Sequence, residues 1–372
     1  MDDRLIRTVV PVVAVCCAAI VVAGFFGWFR LAAYGRLAPV TPIVQTENSE
    51  PPVEEQVILQ PSVSSSVRLL FIGDIMLDRN VATRSRVVND LAYPFKKLPI
   101  DWLGSFDYTV ANLEGSVTDK RRPPEKSIDF QFDPGVAEML KDQGIDAFSQ
   151  ANNHALDQGA LGYEDSVKRL RAAGFLVFGH QVRDDQAALA TTTIKGMKFA
   201  FLGFNITDNS LDVASAQRVI ASARAEADQV IVYMHWGAEY RHTPHLEQVQ
   251  LAHWFIDQGV DVVMGGHAHW VQGIESYKGK PIVYSLGNFV FDQDFSKETT
   301  QGMAVELEFS KAGLTLRPFP TDLIASQVSL VEARKATRLN ELASYSRIPL
   351  SLVATPASVM TDILSGTIFF PR

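Results

Sequence analysis

Two histidines with one residue between them, His267 and His269, follow the apolar run Val262-Val-Met264 and a pair of glycines, Gly265 and Gly266. A buried strand that breaks into a glycine loop and aims two imidazoles at one point is a common way to supply metal ligands. The ordinary alternative is a pair of loop histidines making hydrogen bonds. The same arrangement recurs along the chain, where apolar runs end on Asp74, on Glu114, on Asn153 with His154, and on His235. Taken singly, each has a plain structural role: Asp74 as a helix cap, Glu114 as a solvated strand end, Asn153 as a left-handed turn residue, His235 as a hydrogen-bonded core histidine. Their shared placement at strand ends is what those roles leave unexplained. Carboxylates, an amide oxygen and imidazoles together suit a borderline divalent ion, Mn, Fe or Zn, singly or as a bridged pair, better than Ca or Mg. Asp157, three residues past His154, is placed to accept a hydrogen bond from an imidazole or to cap the next helix. Glu239 and Asn288 fall just past strand ends, where substrate contacts belong.

Other chemistries lack their sequence support. No G-x-S-x-G elbow, P-loop or G-x-G-x-x-G occurs, which leaves acyl transfer, Walker-type nucleotide hydrolysis and dinucleotide redox without a motif. The cysteines, Cys16 and Cys17, both lie in the first apolar run, so the remainder of the chain has no thiol nucleophile, Cys-based zinc site or disulfide. A net charge of -8 without a Lys/Arg-rich run argues against nucleic acid as a partner. Metal-assisted hydrolysis is the chemistry that remains.

The elements that must position these residues can be read from periodicity. At 372 residues and 47% hydrophobic composition the chain has ample core material. Val9 to Phe29 is uncharged and about as long as a bilayer-spanning helix needs, so residues 1–37 read as a short cytoplasmic stub and a membrane anchor. A cleaved signal peptide is the competing reading, with a shorter apolar core and a clearer cleavage site than are present. Residues 38–66, rich in proline and serine, read as an extended tether, with a globular domain over 67–345 and a tail over 346–372. Within the domain, strands are expected at Val67–Ile72, Tyr108–Glu114, Ile145–Ala151, Phe199–Gly203, Gln229–Met234 and Asp261–Met264. Helices are expected at Pro134–Lys141, Gly162–Ala173, Asp212–Ala227, Pro244–Gln258 and Leu330–Tyr345, and a hairpin turns around Lys311-Ala-Gly313. In a layered α/β fold, polar clusters at strand ends mark the ligand-binding edge.

The set Gly73-Asp-Ile-Met76, Ala111-Asn-Leu-Glu114, Asn152-Asn-His154 with Asp157, His235-Trp-Gly-Ala-Glu-Tyr240, Gly266-His-Ala-His269 and Tyr284-Ser-Leu-Gly-Asn-Phe289 resembles the CapA/PgsA family of bacterial capsule (poly-γ-glutamate) biosynthesis proteins, itself similar to the calcineurin-like metallophosphoesterases. The resemblance implies a four-layer α/β/β/α sandwich, a single-pass cell-membrane protein with its domain outside the cytoplasm, and work on an anionic capsule polymer beside other synthase subunits. It further implies that Asp74, Glu114, Asn153, His235, His267 and His269 hold metal while His154 acts as acid or base. Two departures stand out: Met76 occupies the place of a histidine in the phosphoesterases' first motif, and Glu114 replaces an aspartate. A non-catalytic accessory subunit and a secreted phosphoesterase acting on small substrates are the alternatives.

Overall fold

A computed structural model describes residues 66–347 and 357–371. The expected membrane anchor and, save for Ser66, the tether lie outside the described residues. Among the described residues no helix is long and apolar enough to cross a membrane.

The chain opens with β1 (Val67–Ile75) and α1 (Arg79–Val87), a helix capped by the Asp78 carboxylate. Then come β2 (Tyr108–Leu113), β3 (Ser116–Val117), β4 (Gln131–Phe132), α2 (Val136–Asp142), β5 (Ala147–Ser149), α3 (Gly159–Ala172) and β6 (Leu176–Phe178). The next stretch gives β7 (Leu189–Ile194), β8 (Met197–Asn205), α4 (Val213–Glu226), β9 (Gln229–His235), α5 (Leu246–Asp257) and β10 (Val262–Gly266). It closes with β11 (Ile274–Tyr277), β12 (Lys280–Val283), β13 (Asn288–Val290), β14 (Gln301–Phe309), β15 (Gly313–Ile324), β16 (Gln327–Leu330), α6 (Lys335–Tyr345), α7 (Ala357–Ser365) and β17 (Ile368–Pro371).

Apart from the short pair β3-β4, these strands form two large sheets. One runs β16-β15-β14-β1-β2-β5-β6, with β13 alongside β1 and β17 alongside β15; the other runs β11-β12-β10-β9-β8-β7. The strands that carry the polar ends are parallel neighbours, β1-β2-β5 in the first sheet and β8-β9-β10 in the second, so their carboxyl ends all emerge on one edge. Side-chain alternation builds the layers. On β1, Leu69 and Phe71 face inward to meet Phe201, Ile231, Tyr233 and Met264 of the second sheet, while Leu70 and Ile72 face outward to a core shared with Val81, Val136 and Leu170 of α1, α2 and α3. On the far side, Ala216 and Val219 of α4 and Val249 and Ala252 of α5 pack on Leu202, Val232 and Val263. Burial on both faces is why β1, β8, β9 and β10 read as continuous apolar runs rather than as alternating ones.

Three expectations are corrected, and one helix is new. The residues expected as a tail contribute α7 and β17, which pairs antiparallel with β15 and buries Val359, Ile363, Ile368 and Phe370 in the core between the sheets. The closing helix starts at Lys335, because Gln327–Leu330 pairs with β15 first. Pro244 stands before α5, whose capping residue is His245, and not in its first turn. The helix α1 was not anticipated: only Val81 and Ser85 of it are buried, so no apolar stripe announces it.

Each buried apolar side chain of this last segment is worth roughly 1.5–3 kcal/mol. Together they approach the whole stability of a typical domain, about 5–15 kcal/mol. Deleting residues 357–372 is therefore expected to abolish cooperative thermal unfolding of the domain; a truncated chain that melts cooperatively at the full-length midpoint would show the segment to be dispensable.

Candidate metal centre

Asp74 lies at the end of β1, Glu114 one residue past β2, His235 at the end of β9, and His267 one residue past β10. The two sheets are tied at this point, since the Tyr233 hydroxyl donates to the Ile72 carbonyl at 3.1 Å and the His267 N–H donates to Asp74 Oδ2 at 3.1 Å. Backbone around the site, within each sheet and between them, passes close enough to demand glycine. A Cβ on Gly73 would come within 2.0 Å of the Gly287 carbonyl oxygen, one on Gly265 within 2.0 Å of the Tyr284 oxygen, and one on Gly266 within 2.6 Å of Asp74 Oδ1. His267 and His269 then take left-handed backbone, φ 82° and 55°, an uncommon state for residues bearing a Cβ and one that concentrates at functional sites.

The tightest group is Asp74, Glu114 and His235, all buried, with one potential ligand atom from each lying within 4.8 Å of the others. Around it, His235 Nε2 is 2.8 Å from Asn153 Oδ1 and 3.6 Å from Glu114 Oε1. Such spacings are those of neighbouring ligands on one ion bonded at about 2.0–2.2 Å. His267 lines the same floor, its ring centroid 4.7 Å from that of His235, and His269 follows at 6.1 Å from His267. Neither belongs to the tight trio. Met76 turns away into the core between the first sheet and its helices, so the first motif brings only Asp74 to the cluster.

Electrostatics make this cluster unfavourable without a cation. Burial raises Glu114 well above the ordinary carboxyl range, with the neighbouring Asp74 charge and a hydrogen bond to that carboxyl adding to it. Asp74 is raised as well, burial outweighing its contacts with His269, Asn112 and the His267 N–H. Burial also pushes His235 far down, and His267 to about 3, with neighbouring histidines contributing. Two carboxyls reluctant to ionise beside imidazoles that stay neutral form a donor set awaiting positive charge, and the residues fit a divalent ion.

His154 stands beside the trio with a defined partner. Its Nδ1 lies 2.7 Å from Asp157 Oδ2, which also accepts the Phe130 N–H at 2.8 Å, and Lys126 Nζ reaches Asp157 Oδ1 at 2.7 Å. Since Oδ2 acts as an acceptor here, the proton of this hydrogen bond is assigned to Nδ1, which leaves the Nε2 lone pair free. Burial lowers the His154 pKa, and the Asp157 hydrogen bond opposes that fall. Asp157 thus serves the imidazole; the cap of α3 is Gln158. Asn288, expected either to meet substrate or to support a ligand, accepts from His269 Nδ1 at 2.8 Å and donates to Thr299 O at 3.0 Å, so it orients that ring. Glu239 stays at the rim, its side chain 42% exposed and 3.9 Å from His269 Nε2.

The sequence reading missed Asn112. Its Nδ2 donates to Asp74 Oδ1 at 2.8 Å and faces His235 Nδ1 at 3.3 Å, while its Oδ1 accepts from Asn152 Nδ2 at 3.0 Å. The signal was available, because Asn112 precedes Glu114 by two residues on a strand and so shares its face.

Two packed sheets flanked by helices, with buried carboxylates, amides and imidazoles gathered where parallel strands end, define a mixed α/β protein with a candidate divalent-metal centre. The chain belongs to the bacterial capsule synthesis protein PGA_cap family, whose model matches residues 68–293. It is 31% identical over 264 residues to the PGA biosynthesis protein CapA of Bacillus subtilis, covering 65% of this chain and 68% of that one. It is 28% identical over 321 residues to the capsule biosynthesis protein CapA of Bacillus anthracis, covering 80% and 70%. A Mycobacterium tuberculosis relative, 28% identical over 287 residues and covering 61% and 75%, is described as a "probable polyglutamine synthesis accessory protein". Among solved structures, a phosphatase of Mycoplasma pneumoniae is 12% identical with a TM-score of 0.40, covering 71% of this chain and 91% of that one, too low to bear on fold or function.

A carboxyl whose folded pKa is raised contributes stability that is present at low pH and lost as pH rises past its unfolded value. In chelator, wild-type protein should therefore lose stability relative to Glu114→Gln as pH climbs from about 4.5 toward neutrality. Thermal midpoints of both proteins across pH test this; parallel curves would show that Glu114 carries no raised pKa.

Proposed function

We propose that this chain is a membrane-anchored capsule-polymer biosynthesis or export protein, its domain outside the cytoplasm, with a metal-dependent hydrolase-like centre. The observation that carries the enzymatic part is the buried trio Asp74, Glu114 and His235, assembled from both sheets with its carboxyls unwilling to ionise alone. Asp74, Glu114, Asn153 and His235 would hold a divalent ion, with His267 and His269 completing the floor; Mn, Fe or Zn suits that donor set. Bound there, such an ion lowers the pKa of a water and polarises the bond to be broken. His154 is placed to move a proton through Nε2 while Asp157 holds Nδ1–H and keeps the ring oriented. Family membership supports the capsule role, with the membrane, an anionic polymer or its precursor, and other synthase subunits as partners. The uncharged stretch from Val9 to Phe29 supports the anchor.

Metal content of the purified full-length chain should fall from near stoichiometric to background in an Asp74→Asn/His235→Ala variant, read by mass spectrometry of the protein. No metal in either form would remove the metal-centre reading. In a screen of small phosphoesters, His154→Ala should lower turnover by about 10²–10⁴-fold.

The description of the mycobacterial relative favours a second reading, a non-catalytic accessory subunit. Complementation separates the two: an Asp74→Asn/His154→Ala chain that folds and reaches the membrane should fail to restore capsule if the centre is catalytic. Full restoration would make the site an inherited scaffold.

A further inference from the structure

The mouth of the site carries a cation that the strand-end pattern does not include. Arg79, the first residue of α1, has φ 50°, left-handed backbone for a residue with a Cβ. Its guanidinium is held by Asp292: Nε is 3.1 Å from Oδ2, Nη2 bonds Oδ1, and the Asn80 N–H donates to Oδ2 at 3.1 Å. The Asp292 side chain is 3% exposed and that of Arg79 38%, so an open guanidinium is fixed on a buried carboxylate. A guanidinium has five N–H donors. Asp292 takes two, and no other hydrogen bond from this side chain occurs among the described residues.

The seat of this cation places it over the walls of the centre. The guanidinium carbon lies 5.1 Å from the Phe130 ring centroid and 5.9 Å from that of Phe291. Phe130 packs 4.2 Å from the His154 ring, and Phe291 packs 4.9 Å from the His269 ring. Arg79 thus bridges the proton-transfer side and the His269 side. Its charge also reaches Tyr240, whose phenol is raised chiefly by burial and by Glu239. A tie between α1 and the loop after β13 would account for the Asp292 contact alone. It does not require the free donors, the aromatic seat beside both histidines, or the strained backbone.

We propose that Arg79 is the anion-recognition residue of this site, pairing with a carboxylate or phosphate oxygen of the ligand while the centre beneath it receives the group to be cleaved. The inference rests on the metal-centre reading for the reacting end only. A planar fork pre-positioned by a buried partner loses little freedom on pairing, and it suits both oxyanions. In a chain of net charge -8, with Glu239 at the same rim, an anionic ligand needs a fixed local cation. Lys126, the other cation nearby, is already engaged by Asp157 and the Asn153 carbonyl.

Calorimetric titration of the manganese-loaded full-length chain in detergent, with inorganic phosphate in one arm and a short glutamate peptide in the other, tests this. Arg79→Ala should weaken binding of the preferred anion about tenfold or more, with a thermal midpoint lowered by the loss of Asp292's partner but unfolding still cooperative, and Arg79→Lys, which keeps charge but loses the fork, should fall between. Preference for phosphate identifies a phosphoester ligand, and preference for the peptide identifies the carboxylates of a polymer; either supports the assignment. Wild-type affinity in Arg79→Ala overturns it, as does failure of the wild type to bind either anion. If the alanine variant does not fold, undiminished affinity in Arg79→Lys overturns it alone. Because affinity is read rather than turnover, Arg79-dependent binding by a protein that cleaves nothing removes the hydrolase reading and leaves this one standing.

Discussion

The structure depends on burying two carboxylates side by side where the sheets meet. Asp74 and Glu114 end adjacent parallel strands and are shut off from water by the second sheet, whose His267 N–H and Tyr233 hydroxyl reach across. An uncompensated pair of buried carboxylates would cost several kcal/mol. The surroundings answer in two ways: Asn112 and the His267 N–H donate to Asp74, and Glu114 is driven toward its protonated form. Each is a partial remedy, and a divalent cation would replace both.

Many local features become intelligible from that constraint. Gly73 and Gly265 leave room for the backbone of neighbouring chain in their own sheets, at Gly287 and Tyr284, and Gly266 leaves room for the Asp74 carboxylate of the opposite sheet. The left-handed turns at His267 and His269 re-aim two side chains that would otherwise continue along β10. Asn288, paired with Asp74 through β13, reaches His269 from the same strand neighbourhood and fixes its proton. The support extends outward to Asp157, which joins His154 to Lys126 and to the backbone of Phe130. These contacts set proton positions and ring angles, the quantities on which acid–base and ligand chemistry depend.

The hydrophobic layers supply rigidity. β1 is packed on both faces, and the inner core runs from Leu69 and Phe71 to the side chains of α7 and β17 near the end of the chain. A site assembled from strand ends inherits the precision of the sheets, whereas the rim, with Glu239 and Arg79, is carried by loops and by the start of a short helix.

The sequence alone determined the strands that carry the site, because doubly buried strands leave continuous apolar runs and the polar residues that end them have no core role. It determined the ligand candidates Asp74, Glu114, Asn153, His235, His267 and His269 and the family, because those types recur in a fixed order. It could not show that Asp157 serves His154 rather than a helix, that Asn288 orients His269 rather than meeting a ligand, or that Asn112 sits at the centre. Nor did it show that the last fifteen described residues close the inner core, since a short helix and edge strand have little local signature. Those outcomes follow from which atoms lie within about 3 Å of one another across two sheets. Distances of that kind belong to the packing, and local pattern does not encode them.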